Sequence, residues 1–240
     1  MSDKRTHRGA HPEDESRFAR DAWPRLSDAT HDLSWLLSRE YATASAVKLV
    51  GDRYRLDTRQ RLAVTRCACS DAARIRRTHH QVASVNLKGA TILLDGYNVL
   101  TSVEAALGGG VILAARDGCF RDMASMHGTY RKVAETIPAL QLIGKELAAH
   151  QVAACIWYLD SPVSNSGRLK IIMQNLARDA GWNWRVELIH NPDSVLAGSH
   201  EIIATADSMI LDHSERWFNL ARDVITNCVP DAWIVDLSTS

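Results

Sequence analysis

The sequence predicts an α/β protein: a Rossmann-like three-layer α/β/α domain with a mostly parallel sheet, preceded by a small all-α basic module. Three observations lead there. From residue 89 onward, short apolar runs alternate with helical stretches, the pattern of strands joined by crossover helices. Residues 152–159 carry no charge, as expected of a strand buried on both faces. Three strand-like runs, Thr91-Ile-Leu-Leu-Asp95, Cys155-Ile-Trp-Tyr-Leu-Asp160 and Ile202-Ile-Ala-Thr-Ala-Asp207, each close on an aspartate.

Taken in order, residues 1–20 are polar and charged and read as a disordered or loosely packed lead-in. Helical periodicity begins at Asp21. Pro24 suits a first turn, and Leu26, Ala29, Leu33, Leu36 and Leu37 recur at helix spacing. A second, short helix is expected over 44–50, stopped by Gly51. Asp57 or Thr58 caps a third that runs to about Arg77. Asn86-Leu-Lys-Gly89 reads as the turn between the helical module, 21–88, and the α/β domain, 89–240. There, a strand at 90–95 leads into a mixed loop region to about Tyr130 and a helix near 133–149. A strand at 153–159, a helix at 166–179 and strands at 184–189 and 201–205 come next. A helix at 207–213, a helical stretch near 219–227 and a strand at 232–237 complete the series.

With 240 residues, 46% hydrophobic and 23% charged, the composition is that of an ordinary globular chain. No apolar run reaches the roughly 18 residues that span a bilayer, and the polar start resembles neither a signal peptide nor an anchor, so a cytoplasmic location is expected. Five cysteines, an odd number, fit a reduced protein. Cys67 and Cys69, two apart on a helix, face different ways and make a poor zinc pair with His79 and His80. The formal net charge of zero hides an asymmetry: residues 1–88 hold 17 basic and 11 acidic side chains, and residues 89–240 hold 11 and 17. Two readings follow: a basic module presenting a polyanion to an acidic catalytic domain, or two halves that attract each other. Likewise Tyr54 and the arginines at 53, 55, 59, 61, 66, 74, 76 and 77 either contact RNA or form a solvated helix face around a packed ring.

Parallel sheets place their sites beyond the carboxyl ends of their strands. Asp95, Asp160 and Asp207 would meet there, and clustered carboxylates repel unless a hard cation with oxygen ligands sits among them. Asn98 follows Asp95 closely and offers an amide at the same edge, and Ser208 offers a hydroxyl beside Asp207. The loop before the 166–179 helix, with Asn165, Ser166 and Arg168, can hold a phosphate or simply cap that helix. Asp212 is a weaker metal ligand, turned roughly 140° from Asp207 on one helix. Arg121, His127 and Arg131 either position substrate or belong to internal ion pairs, and Asp117 or Asp122 would complete the carboxylate set. Gly108-Gly-Gly110 lacks the lysine of a phosphate loop and reads as a flexible bend.

Leu-Asp-Gly-Tyr-Asn-Val, followed much later by Ala-Thr-Ala-Asp-Ser, resembles the first and late acidic motifs of the PIN-like nucleases, in particular the NYN branch. The resemblance covers residues 90–212 at most. It implies a Rossmann-like fold and Mg²⁺- or Mn²⁺-dependent cleavage of RNA by clustered aspartates, with Asp95, Asn98 and Asp207 on the family positions and Asp160 fitting less closely. A middle-helix acidic residue of that family has no evident counterpart. The chain as a whole also resembles an uncharacterised family of two-part proteins. The function expected is a metal-dependent ribonuclease with Asp95, Asp160 and Asp207 as catalytic groups. The alternatives are a non-catalytic RNA-binding relative and a Rossmann-like enzyme acting on a small phosphorylated molecule.

Overall fold

Helices and short strands form an ordered series in the computed structural model, which describes residues 7–124 and 130–238. The N-terminal part holds helices α1 (Asp14–Arg17), α2 (Trp23–Leu37), α3 (Thr43–Arg53), α4 (Thr58–Cys67) and α5 (Asp71–His80). Next come β1 (Thr91–Asp95), α6 (Gly96–Leu107), β2 (Ile112–Ala114), β3 (Phe120–Asp122), α7 (Thr136–Ala149), β4 (Ala154–Asp160) and α8 (Ser166–Ala180). The chain finishes with β5 (Trp184–Ile189), α9 (Pro192–Ala197), β6 (Ile202–Ala204), α10 (Ser208–Leu211), β7 (Trp217–Phe218), α11 (Leu220–Cys228) and β8 (Ile234–Asp236).

The main sheet is all parallel, in the order β5-β4-β1-β6-β7. From β1 the chain moves outward to β4 and β5, then returns to the other side of β1 for β6 and β7. The reversal between β1 and β6 opens a crevice beyond their carboxyl ends, the switch point at which such folds bind ligands. Ile92 and Leu94 pack into the principal core with residues of α6, α7, α8 and α11, whereas Leu93 points the other way, into a small cluster with Leu196, Ile203 and Ile210. This is a Rossmann-like α/β fold with one face thickly covered and the other capped by short helices. The difference shows in β4. Cys155, Trp157 and Leu159 are buried and the residues between them only partly so, because α9 and α10 are too short to cover the second face.

A second sheet, β3-β2-β8, joins the two parts of the molecule. Ile112 faces the principal core, while Leu113, Val235 and Leu237 face Leu26, Leu33, Val50 and Val64 of the helical module. The expected loop between 96 and 130 therefore contains α6 and the hairpin β2–β3. Helix α6 is buried on nearly every side, which removes the amphipathic stripe that marks a helix in sequence.

Other boundaries shift for local reasons. Gly51 lies inside α3 and does not end it, since the Arg61 side chain packs where a Cβ would stand. The expected third helix is two. Asp57 caps α4 through a capping box with Gln60, the chain then extends through Ala68, and Ser70 caps α5 through the Ala73 amide. Residues 7–20 are packed rather than loose: Asp14 is fully buried and paired with Arg59, and Arg8 donates to buried Glu104 at 2.5 Å. All five cysteines are free thiols. Among the described residues, no helix is long and apolar enough to cross a membrane.

Candidate active-site cleft

At the switch point lies a solvent-open cleft of about 760 Å³. Asp95, Asp122, Asp160, Asp193 and Asp207 line it together with Tyr97, Asn98, Arg66, Arg121 and Ser208. Asp95 arrives at the end of β1, and the parallel register sets it against Tyr158 of β4. Asp160, two residues further on that neighbour, then stands about 8 Å away between Cα atoms, from strand spacing and rise. Gly96 makes the turn after Asp95 feasible: a Cβ there would stand 2.7 Å from the Tyr158 carbonyl oxygen and 2.6 Å from Leu159 Cδ2.

The segment 205–207 is pinned to β1 and α6 by side chains. Thr205 Oγ1 donates to Asp95 Oδ2 at 2.8 Å and accepts from the Asp207 amide at 3.0 Å. Asn98 Oδ1 accepts the Ala206 amide at 2.8 Å. Asp207 caps α10 with one oxygen, which accepts the Met209 amide at 2.7 Å. Asn98, on the cleft wall, thus also holds the aspartate loop in place.

These carboxylates press on one another. Burial, with the charges of Asp207 and Asp193, pushes the Asp95 carboxyl up to about 7, against the Thr205 hydrogen bond that favours its ionised form. Asp193 is raised as well, by partial burial and then by Asp207 and Asp160. Asp193, on α9, has no motif around it in the sequence. Its partnership with the other acids arises only because α9 folds over the same sheet end. Asp122, anticipated as an alternative to Asp117, lines the cleft and accepts from Ser102 Oγ at 2.9 Å.

The acids share a cleft without crowding onto one point: among the described residues, no three of them bring donor oxygens within 4.8 Å of one another. Such spacing suits a hard cation that keeps part of its water shell and takes one or two carboxylates directly. Tyr97 supplies a further sign of a ligand. Its side chain lines the cleft and is 7% exposed, yet its buried hydroxyl has no hydrogen-bond partner. Burial, then the charge of Asp160, lifts that phenol to about 12, so it remains a donor at neutral pH.

The remaining residues named from the sequence lie elsewhere or face other tasks. Asp212 does not line the cleft; its carboxylate accepts from Arg77 Nε at 2.8 Å. Arg121 is buried, with its guanidinium on Asp117 at 2.7 and 2.9 Å and on the Ala206 carbonyl at 2.8 Å. Asp117 is held far below the usual carboxylate range, because Arg121 and Arg77 outweigh its burial. It is fully committed to these two arginines and leaves the acidic set. Ser208 Oγ, on the cleft wall, lies 3.4 Å from both Arg77 and Arg121 nitrogens. Asn165 takes a left-handed conformation, φ 70°, and donates to the Tyr130 carbonyl at 2.9 Å. Ser166 is buried. Asn165 and Arg168 border a separate hollow of about 280 Å³ with Arg131 and Lys132. His127 lies outside the described residues.

The helical module contributes Thr65 and Arg66 to the cleft wall. Several of the N-terminal arginines are ion-paired within the protein: Arg17 and Arg61 with aspartates 57 and 52, Arg53 with Asp32, Arg59 with Asp14, and Arg77 with Asp117 and Asp212. Tyr54 donates its hydroxyl to Asp32 at 2.8 Å.

Fold and cleft together define a Rossmann-like α/β protein with an acidic site at its topological switch point and a helical module docked beside it. The chain belongs to the family described as domain of unknown function DUF5616, whose model matches residues 84–223, more than half of its length. Residues 25–79 match a second family, protein of unknown function DUF434. The two-part organisation read from the sequence is thus that of an uncharacterised two-part family. The chain is 31% identical over 187 residues to the uncharacterized protein MJ0935 of Methanocaldococcus jannaschii, a match covering 78% of this chain and 88% of that one. No solved structure matches the chain.

Proposed function

We propose that this protein is a metal-dependent nuclease of the PIN-like type that hydrolyses RNA phosphodiester bonds in the acidic cleft, with Mg²⁺ or Mn²⁺ as the ion. The observation that carries the reading is the uncompensated repulsion among Asp95, Asp193 and Asp207, which burial amplifies and a divalent cation relieves. The donor set is all oxygen, the preference of hard cations. When bound, the ion neutralises phosphate charge and makes water a better nucleophile at neutral pH.

The protein groups divide the remaining work. Asp95, Asp160 and Asp207 would hold the ion between them, one or two directly and the rest through its water shell, Asp95 only once its proton has left. Asp193, across the cleft, accepts a proton from the attacking water or orients it. Tyr97 donates its free hydroxyl to a non-bridging phosphate oxygen, and Arg66 sits on the wall where a polyanion enters. An open cleft suits a polymer better than the closed pocket that a small phosphorylated substrate requires.

The test is cleavage of end-labelled RNA with Mn²⁺, comparing the parent with Asp95→Asn and Asp207→Asn. Loss of roughly 100-fold or more in both variants, as for removal of groups that act on the transition state, supports the reading. Equal activity in all three preparations identifies a contaminant and overturns it.

A further inference from the structure

Helices α7 and α11 run antiparallel where they touch: Glu146 meets Asn227 while His150, one turn later, meets Asp223. Glu146 and His150, four apart, share a face of α7. His150 Nε2 lies 2.6 Å from Asp223 Oδ2 and 3.5 Å from Glu146 Oε1. One donor atom from each of the three falls within 4.8 Å of the others, the only such group among the described residues. None of the three lines the acidic cleft.

We propose that Glu146, His150 and Asp223 form a second metal site, selective for a borderline divalent ion such as Zn²⁺ or Co²⁺. Three features carry this. Donors bound tetrahedrally at about 2.0–2.1 Å stand roughly 3.3 Å apart, and the distances from Nε2 to its two carboxylates bracket that value. Two carboxylates face one imidazole, and no lysine or arginine pairs with either among the described residues, so the cluster retains negative charge. The mixed nitrogen and oxygen set favours Zn²⁺, Co²⁺ or Ni²⁺ over the Mg²⁺ or Mn²⁺ suited to the all-oxygen cleft.

The surroundings hold the ligands in place. Asn227 donates to Glu146 Oε1 at 2.8 Å, the Cys228 thiol donates to Glu146 Oε2 at 3.6 Å, and the His150 ring meets the Phe218 ring edge-on at 5.7 Å. Asp223 also borders a hollow of about 360 Å³, through which an ion enters and from which a water completes its coordination. Binding replaces the hydrogen bond between His150 and Asp223. The ion therefore clamps α7 to α11 more firmly than the ion pair does.

The experiment titrates Co²⁺, then Zn²⁺, into full-length, tag-free, chelator-stripped protein, with calorimetry and visible absorption as readouts. The expected result is one Co²⁺ whose low-symmetry absorption is intense beside that of an oxygen-only site and is abolished by one equivalent of Zn²⁺. His150→Gln and Glu146→Gln should weaken binding by more than the roughly 10–100-fold typical of losing an outer-shell partner, while Asp95→Asn leaves it intact. Unchanged binding in His150→Gln, or loss in Asp95→Asn, overturns the assignment. If either α7 variant fails to fold, anomalous scattering at the zinc edge from parent crystals decides: a peak about 2 Å from His150 Nε2 supports the site, and no peak removes it. The outcome is independent of the nuclease reading, because a failure in RNA cleavage leaves this ion in place.

Discussion

At the scale of single residues, two side chains carry costs that a ligand would recover. The Tyr97 hydroxyl is buried and unpartnered, so Tyr97→Phe should leave stability unchanged or raise it by up to about 1 kcal/mol, measured by urea unfolding. The same variant should lose about 10-fold in RNA cleavage if the hydroxyl binds phosphate, a combination that a purely structural tyrosine does not produce. Burial, with neighbouring acids, raises the Asp95 carboxyl from the usual 3.8 to about 7. Its folded state binds the proton more tightly, so its contribution is greatest below pH 4 and declines as pH rises to 7. The parent should thus lose on the order of 2 kcal/mol across that window relative to Asp95→Asn, less than the full shift implies because the cleft is open to water. Added Mg²⁺ or Mn²⁺ should restore stability at pH 7 in the parent alone, since the ion binds the deprotonated carboxylate.

At the scale of elements, the motifs that read correctly were those whose physics is local. Ser166–Ala180 and Trp184–Ile189 stand within a residue of where periodicity put them. Asp57 caps α4 through bonds to residues two and three further on, so the helix start is written in four consecutive residues. Asp57→Ala should cost about 1 kcal/mol and more if the Arg17 pair matters, as thermal unfolding would show. Helix α6 was not legible, because burial all round makes its pattern uniform rather than striped. The break between α4 and α5 was missed because arginine-rich helical composition continues across it. Gly96→Ala probes the junction on which the cleft depends. A methyl group 2.7 Å from the Tyr158 carbonyl forces β1 and β4 apart and should cost about 1–3 kcal/mol, with cleavage falling in parallel.

At the scale of the molecule, a few ion pairs tie the basic first part to the acidic second. Arg77 of α5 and Arg121 of β3 grip Asp117, and Trp217 donates its indole N–H to the Arg77 carbonyl at 2.7 Å. Arg66 and Thr65 reach from α4 to the cleft. Across the two parts, Arg8, Arg66 and Arg77 meet Glu104, Asp122 and Asp117, while Arg17, Arg53, Arg59 and Arg61 pair with aspartates of the first part itself. Asp117→Ala would leave the buried Arg121 guanidinium without a carboxylate and Arg77 with Asp212 alone, and should destabilise by about 3–5 kcal/mol, read by denaturant midpoint. It should also slacken the 205–207 loop, which Arg121 holds through Ala206.

The amino-acid order by itself determined that an α/β sheet follows a helical module, that Asp95 and Asp160 end their strands and that Asp207 opens the helix after another, because strand period, capping and Asp-Gly turns act over a few residues. Tertiary structure decided which acids share a cleft. It brought in Asp193, sent Asp212 to Arg77, and met Glu146 and His150 with Asp223 across two helices. Those pairings depend on strand order and helix packing, which join residues far apart in sequence.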